Sequence, residues 1–290
     1  MSAHQRGLAM AEVLVAMALS LLVALAAASL LHAANGDFLH NGANTRVDDS
    51  GRFALAIIGQ SLRQAGYPGE PGAAAAAAPA PLAIEGRDAA SVATDADGLG
   101  AARPAINGSD ALAIRYAPAA IAGAEGGGAM LNCAGFPAVP GEWAWSIFYI
   151  AQASDGIAEL RCKYKGEGGW GSDAVVRGVD AFHVLYGIDT DSPRDNIANL
   201  YLTASGIDAL DAALPAPERA ARPNWRRVTT VRIALLLHGE PGSRGGGPPG
   251  IYELLPGADP DARIDEASLP EPMRRRARRL FTATVALCNL

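Results

Sequence analysis

From Val13 to Leu31 the chain carries no charged residue, and only Ser20 and Ser29 interrupt nineteen otherwise apolar positions. As a helix this run is about 28 Å long, close to the thickness of a bilayer's hydrocarbon layer. A secretory signal has a shorter apolar core of roughly 7–15 residues, and here Glu12 stands at the front edge of the run. Both features favour a retained membrane segment over a removed signal. Arg6 and the terminal amine precede the run, so the positive-inside rule places Met1 in the cytoplasm and the rest of the chain outside.

Composition narrows the remaining 250-odd positions by exclusion. Charged residues are 19% of the 290, and the formal net charge is −6. That balance argues against nucleic acid as a partner, because such binding rests on phosphate neutralisation. The 50% apolar content is too high for wholesale disorder. Three cysteines are too few for a disulfide scaffold or a four-cysteine zinc site. The five histidines fall at no ligand spacing, and no Ser/His/Asp or Cys/His arrangement stands out. No catalytic residue, cofactor site or metal site is expected, and an enzyme is the last reading.

Glu12 needs its own account, since a carboxylate at the centre of a membrane helix costs about 2.5–3.5 kcal/mol. Near a helix N-terminus the macrodipole returns about 0.3–1 kcal/mol of that. The residues before it, Arg6-Gly7-Leu8-Ala9-Met10-Ala11-Glu12, resemble the type III leader of type IV pilins and pseudopilins. The resemblance implies cleavage after Gly7 by a prepilin peptidase, N-methylation of Leu8 and retention of the apolar helix. It also implies that Glu12 of one subunit meets the Leu8 amine of its neighbour and sets subunit registration. A second segment is more specific: Gly51-Arg52-Phe53-Ala54-Leu55 followed by Leu62-Arg63-Gln64-Ala65-Gly66-Tyr67 resembles PilW-type minor pilins. Gly178 to Asp191, Trp225 to Leu237 and Arg274 to Asn289 are similar to further blocks of that family.

The fold class expected is α+β: a long N-terminal helix, half membrane and half amphipathic, packed on an antiparallel β-sheet. Residues 1–7 are the leader, 8–34 the transmembrane or fibre-core half of the helix, and 35–66 its amphipathic half. Phe53, Ala54, Ile57, Ile58, Leu62 and Ala65 share one face at helical spacing. Gly66 and Pro68 end the helix, while Asn35-Gly36-Asp37 and Asn41-Gly42 predict a bend or a melted turn within it. The Ala-, Gly- and Pro-rich stretch 67–109 reads as a loop region with short ordered pieces, Leu82-Ala83-Ile84 among them. Residues 110–290 read as the β domain, with strands at 111–116, 145–151, 157–164, 175–188, 200–203, 228–237 and 280–287. Residues 205–214 suit a small helix. The lack of long crossover helices makes the sheet antiparallel.

Four further features invite a site. Gly166 to Gly171 fits GxGxxG, but a strand follows where a dinucleotide loop needs a helix, so it is a turn. Asp189, Asp191 and Asp195 have part of a calcium-loop spacing, with Pro193, Arg194 and Leu200 where other ligands and the turn glycine belong. Five arginines between Arg274 and Arg279 read as an exposed strand-edge guard or partner contact. In an oxidising compartment Cys133 and Cys162, which flank the Trp145 hairpin, are the best disulfide pair, and paired cysteines recur in the resembled family. A bridge using Cys288 stays open.

The resemblance therefore implies a minor pilin acting in type IV pilus priming and assembly as a non-catalytic subunit of an inner-membrane or tip complex. Its partners would be other minor pilins, the major pilin, the prepilin peptidase, the inner-membrane assembly platform, the lipid bilayer and, at the tip, an adhesin. It would sit in the inner membrane with a cytoplasmic N-terminus and a periplasmic β domain, then in the fibre. The alternatives are a minor pseudopilin of a type II secretion system and an unpolymerised membrane-anchored binding module.

Overall fold

The computed structural model describes residues 10–69, 80–119, 130–139, 142–244 and 247–289, and it divides into two compact units, Met1–Arg46 and Val47–Leu290. Helix α1 runs from Met10 to Gln64. It is continuous through Asn35–Gly42, so no melted turn interrupts it there. Weak helix formers cost about 1 kcal/mol or less each, which leaves the hydrogen-bonded ladder intact when strong formers flank them.

In the second unit α1 buries Val47, Gly51, Ala54, Ile58 and Leu62, followed by Ala65 just past its end. These recur every three or four residues, the signature of one stripe facing a core. Phe53, expected on that stripe, is instead 53% exposed. It is one residue, and so about 100° of helix, away from Ala54. The small residues, Gly51 and Ala54, mark the close contact and Phe53 faces away from it.

Two antiparallel sheets receive this helix. The first orders its strands β1 (Ile84–Arg87), β4 (Ala111–Tyr116), β5 (Ala144–Gln152), β6 (Ala158–Gly166) and β7 (Gly169–Arg177). The second orders β13 (Arg278–Ala286), β10 (Val228–His238), β8 (Val179–Ile188) and β9 (Leu200–Leu202). Two short pairs complete the set: β2 (Ala90–Ser91) with β3 (Arg103–Pro104), and β11 (Ile251–Glu253) with β12 (Arg263–Asp265). Helix α2 (Ala204–Ala212) is capped by the Thr203 hydroxyl, which accepts from Gly206 N–H, and α3 (Ala216–Ala221) follows.

The single strand expected over 175–188 is two strands in two sheets. Gly178, at φ +77°, makes the break. Its N–H donates to Ala158 of the first sheet and its carbonyl accepts from His238 of the second, so one glycine stitches the sheets together. A Cβ there would lie 3.0 Å from the His238 carbonyl oxygen. Within the stretch 67–109 the short ordered piece at Ile84 is β1, which extends the first sheet with Ile84 opposite Ile114. Four residues are too few for a period to be read from sequence, and β1 is held by its pairing with β4.

Every residue of β8 is buried. Phe182, Val184, Tyr186 and Ile188 face the main core with Ala54, Ile58 and Leu62 of α1, whereas Ala181 and Leu185 join Leu254, Leu255, Ile264 and Leu269 in a second core. The segment holding β11 and β12 therefore covers the second sheet's other face. Along β13, Phe281, Ala283 and Val285 are half-buried while Thr282 and Thr284 are exposed, the alternation expected of it.

Candidate functional site

In the first unit, Met10–His32 forms a 23-residue apolar helical stretch with mean hydropathy 2.6, long enough to cross a bilayer. Its side chains are exposed throughout. The two serines that interrupt it are satisfied within the helix: Ser20 Oγ donates to the Met17 carbonyl at 2.9 Å and Ser29 Oγ to that of Ala26 at 2.8 Å. Neither hydroxyl is therefore left as an unpaired donor on the apolar surface. Glu12 lies in the first turn described and is exposed, where the helix dipole favours a carboxylate. Gly7 and Leu8 lie outside the described residues.

The cysteine alternatives resolve into one pair. Cys133 and Cys162 form a disulfide with Cα atoms 5.8 Å apart, both buried, and Cys288 is a free, exposed thiol. Cys162 sits in β6 opposite Phe148 of β5. The bridge ties the turn around Asn132, whose Oδ1 accepts from the N–H groups of Ala134 and Phe136, to the middle of the first sheet.

Asp189, Asp191 and Asp195 do converge, with carboxylate oxygens within 4.8 Å of one another. Asp189 is buried and organises the loop: it accepts from the N–H of Asp191 (2.9 Å), Asp195 (3.0 Å) and Asn196 (2.8 Å). Burial works against its charge, but these donors outweigh it and hold the carboxyl below its ordinary range. Asp191 accepts from the Asn199 amide and Asp195 from Ile197 N–H, so each carboxylate has a role in the loop. The Gly166–Gly171 motif is the hairpin joining β6 to β7, as expected, with Gly169 at φ +107°.

The arginine segment is where the structure corrects the sequence reading most. Arg276 and Arg278 are buried, and no row of guards lines the strand edge. Arg278 Nε donates to Asp180 Oδ2 at 2.6 Å, Nη1 lies 3.3 Å from Glu266 Oε1, and Nη2 donates to the Met273 carbonyl at 2.6 Å. Glu266 also pairs with Arg244 and accepts from the N–H groups of Gly250 and Arg275. Arg276 Nη1 lies 3.3 Å from both His238 Nδ1 and the Gly239 carbonyl oxygen. Of the others, Arg279 pairs with Asp48 on α1 at 2.9 Å and Arg274 with Glu271 at 3.3 Å. Of the acids that draw Arg278 inward, Glu266 is 12 positions away and Asp180 is 98. Only the distribution of Asp and Glu over the whole chain hinted at them.

This network joins β8, β10, β13 and the second core. Asn107 Nδ2 donates to the Asp180 carbonyl at 2.8 Å, bringing in the turn before β4. His238, with Nε2 3.9 Å from Asp180 Oδ1, is pushed below its ordinary pKa by burial. Asp180 and the Gly239 carbonyl oppose the shift, while Arg276 and Arg278 add to it.

Residues 147–289 match the family model for Type IV Pilus-assembly protein W. The match begins inside β5 and runs through β13 to Asn289, taking in the disulfide's Cys162, the Asp189 loop and the buried arginines. Among solved structures the chain is similar to a type IV-like pilin from Thermus thermophilus, at 17% identity, covering 83% of this chain and 96% of that one, with a TM-score of 0.36. No curated protein matches the chain.

Proposed function

We propose that this chain is a minor pilin that takes part in priming and assembly of a type IV pilus as a non-catalytic structural subunit. One observation carries the reading: the pilus-assembly match over 147–289 stands on the same chain as an apolar helix of membrane-spanning length with Glu12 at its head. The helix holds the subunit in the inner membrane until assembly and then needs an apolar environment again, which packed helices of neighbouring subunits supply. Removal of a leader after Gly7 creates an amine at Leu8, and Glu12 of an adjacent subunit neutralises it. In apolar surroundings that pair sets a strict register, because either charge alone is costly. The β domain supplies lateral contacts to other minor pilins and the major pilin, and exposed Phe53 offers an apolar one on α1.

The test is mass spectrometry of the protein's N-terminus in sheared surface fibres and in the membrane fraction. A methylated Leu8 start in both is the expected result. Processed protein confined to the membrane fraction would point to a secretion pseudopilin or a basal subunit, and an intact Met1 leader throughout would overturn the reading.

A further inference from the structure

A cavity of about 460 Å³ opens where Gly66 and Pro68 after α1, the lead into β1 and the turn before β10 meet. That volume lies within the roughly 300–1,000 Å³ of small-molecule sites. Ile84, Trp225, Val228 and Pro81 make most of its wall apolar.

Four polar side chains break that wall: Arg194, Arg226, Trp143 and Asn289, whose amide nitrogen is already engaged with the Arg63 and Ala65 carbonyls. Arg194 and Arg226 both line it, and neither forms an ion pair among the described residues. Both are tethered to backbone: Arg194 Nη1 lies 3.3 Å from the Arg226 carbonyl oxygen, and Arg226 Nη2 donates to that of Ala80. Both side chains are exposed at the cavity mouth and Arg194 also feels the Asp189 carboxylate, while the backbone tethers lower the ordering cost of receiving an anion. Trp143 also lines the cavity, and its indole N–H is buried with no acceptor among the described residues.

These features select a ligand class. A sugar would bury hydroxyls against apolar walls, at a cost the few polar groups cannot offset. A plain hydrocarbon suits the walls but leaves the two arginines without an anion. We propose that the cavity binds an apolar carboxylate, its hydrocarbon or aromatic body against Trp225, Ile84 and Val228 and its carboxylate at Arg194 and Arg226. Such chemistry has two sources, a free small acid or the C-terminal apolar residue of another chain. The inference is independent of the pilus reading.

The experiment titrates the full chain in nonionic detergent with 4-phenylbutyrate, with 4-phenylbutyramide, and with acetyl-Gly-Gly-Phe as the free acid, followed by tryptophan fluorescence and calorimetry. Saturable binding of 4-phenylbutyrate is expected. It should weaken about tenfold for the amide and for the Arg194→Gln/Arg226→Gln double variant, the loss of a charge-assisted contact. Ala83→Trp, which fills the cavity, should abolish it. Micelles take up the probe alike in every sample, so differences between variants report the cavity. Tighter binding of the peptide acid assigns the site to chain ends, and tighter binding of 4-phenylbutyrate assigns it to free acids. No saturable binding by the wild type, or equal binding by wild type and double variant, overturns the proposal. Should Ala83→Trp fail to fold, the arginine variant and the amide still decide the matter.

Discussion

Phe281 of β13 packs against α1 at Gly51, where a Cβ would lie 2.3 Å from the ring's Cε2. The contact repeats along the pair: Arg279 meets Asp48 and the Asn289 amide donates to the carbonyls of Arg63 and Ala65. The glycine of the Gly-Arg-Phe segment is thus a packing requirement, set by an aromatic ring 230 positions away. Gly51→Ala forces either the ring or the helix to shift, and overpacking of this kind costs about 1–3 kcal/mol. Thermal unfolding should show the loss, and Phe281→Leu in the same chain should recover part of it.

The disulfide closes a loop across a sequence separation of 29 residues. Chain-entropy arguments put its contribution at about 3–4 kcal/mol. Cys133→Ser should lower the unfolding free energy by about that amount under oxidising conditions, read from urea unfolding. In the wild type, maleimide labelling without reductant should give a single adduct, on Cys288.

Arg278 answers two buried acids at once. Arg278→Met leaves Asp180 and Glu266 short of a partner in a water-poor site, and losses of about 3–5 kcal/mol follow from breaking such pairs. Arg279→Met, in a half-exposed pair with Asp48, should cost less than about 1 kcal/mol. Urea unfolding of the two variants separates a buried network from a surface one.

His238 gives the fold a pH dependence of definite sign. Burial holds its folded pKa below the ordinary 6.5, with Asp180 and the Gly239 carbonyl opposing and Arg276 and Arg278 assisting. As pH falls through 6.5 the unfolded chain binds the proton and the folded chain does not, so stability falls. The loss continues until the folded imidazole itself protonates. Urea midpoints between pH 8 and pH 5 should show the decline, and His238→Asn should flatten it.

Glu12 lies in a unit separate from all of these contacts. Glu12→Ala should leave the unfolding midpoint of Val47–Leu290 unchanged while reducing surface fibres. Normal piliation with the variant present at wild-type level would remove its proposed role in subunit registration.

Local pattern alone determined the apolar helix, the alternating faces of β13, the stop at Gly66 and Pro68 and the hairpin at Gly166–Gly171. Each depends on residues within a turn or two of one another, whose periodicity or backbone preference is set along the chain. Tertiary structure decided the rest. Phe53 and Gly51 are two positions apart on one helix, and only the arrival of Phe281 settled which of them would be buried. The run 175–188 is strand-like throughout, yet the meeting of two sheets broke it at Gly178. The arginines of 274–279 read as an exposed strand-edge guard or partner contact because the acid that Arg278 meets on β8, Asp180, is 98 positions away. Asp180 and Glu266, delivered by other strands and turns, supply the countercharge that makes burial of Arg278 tolerable.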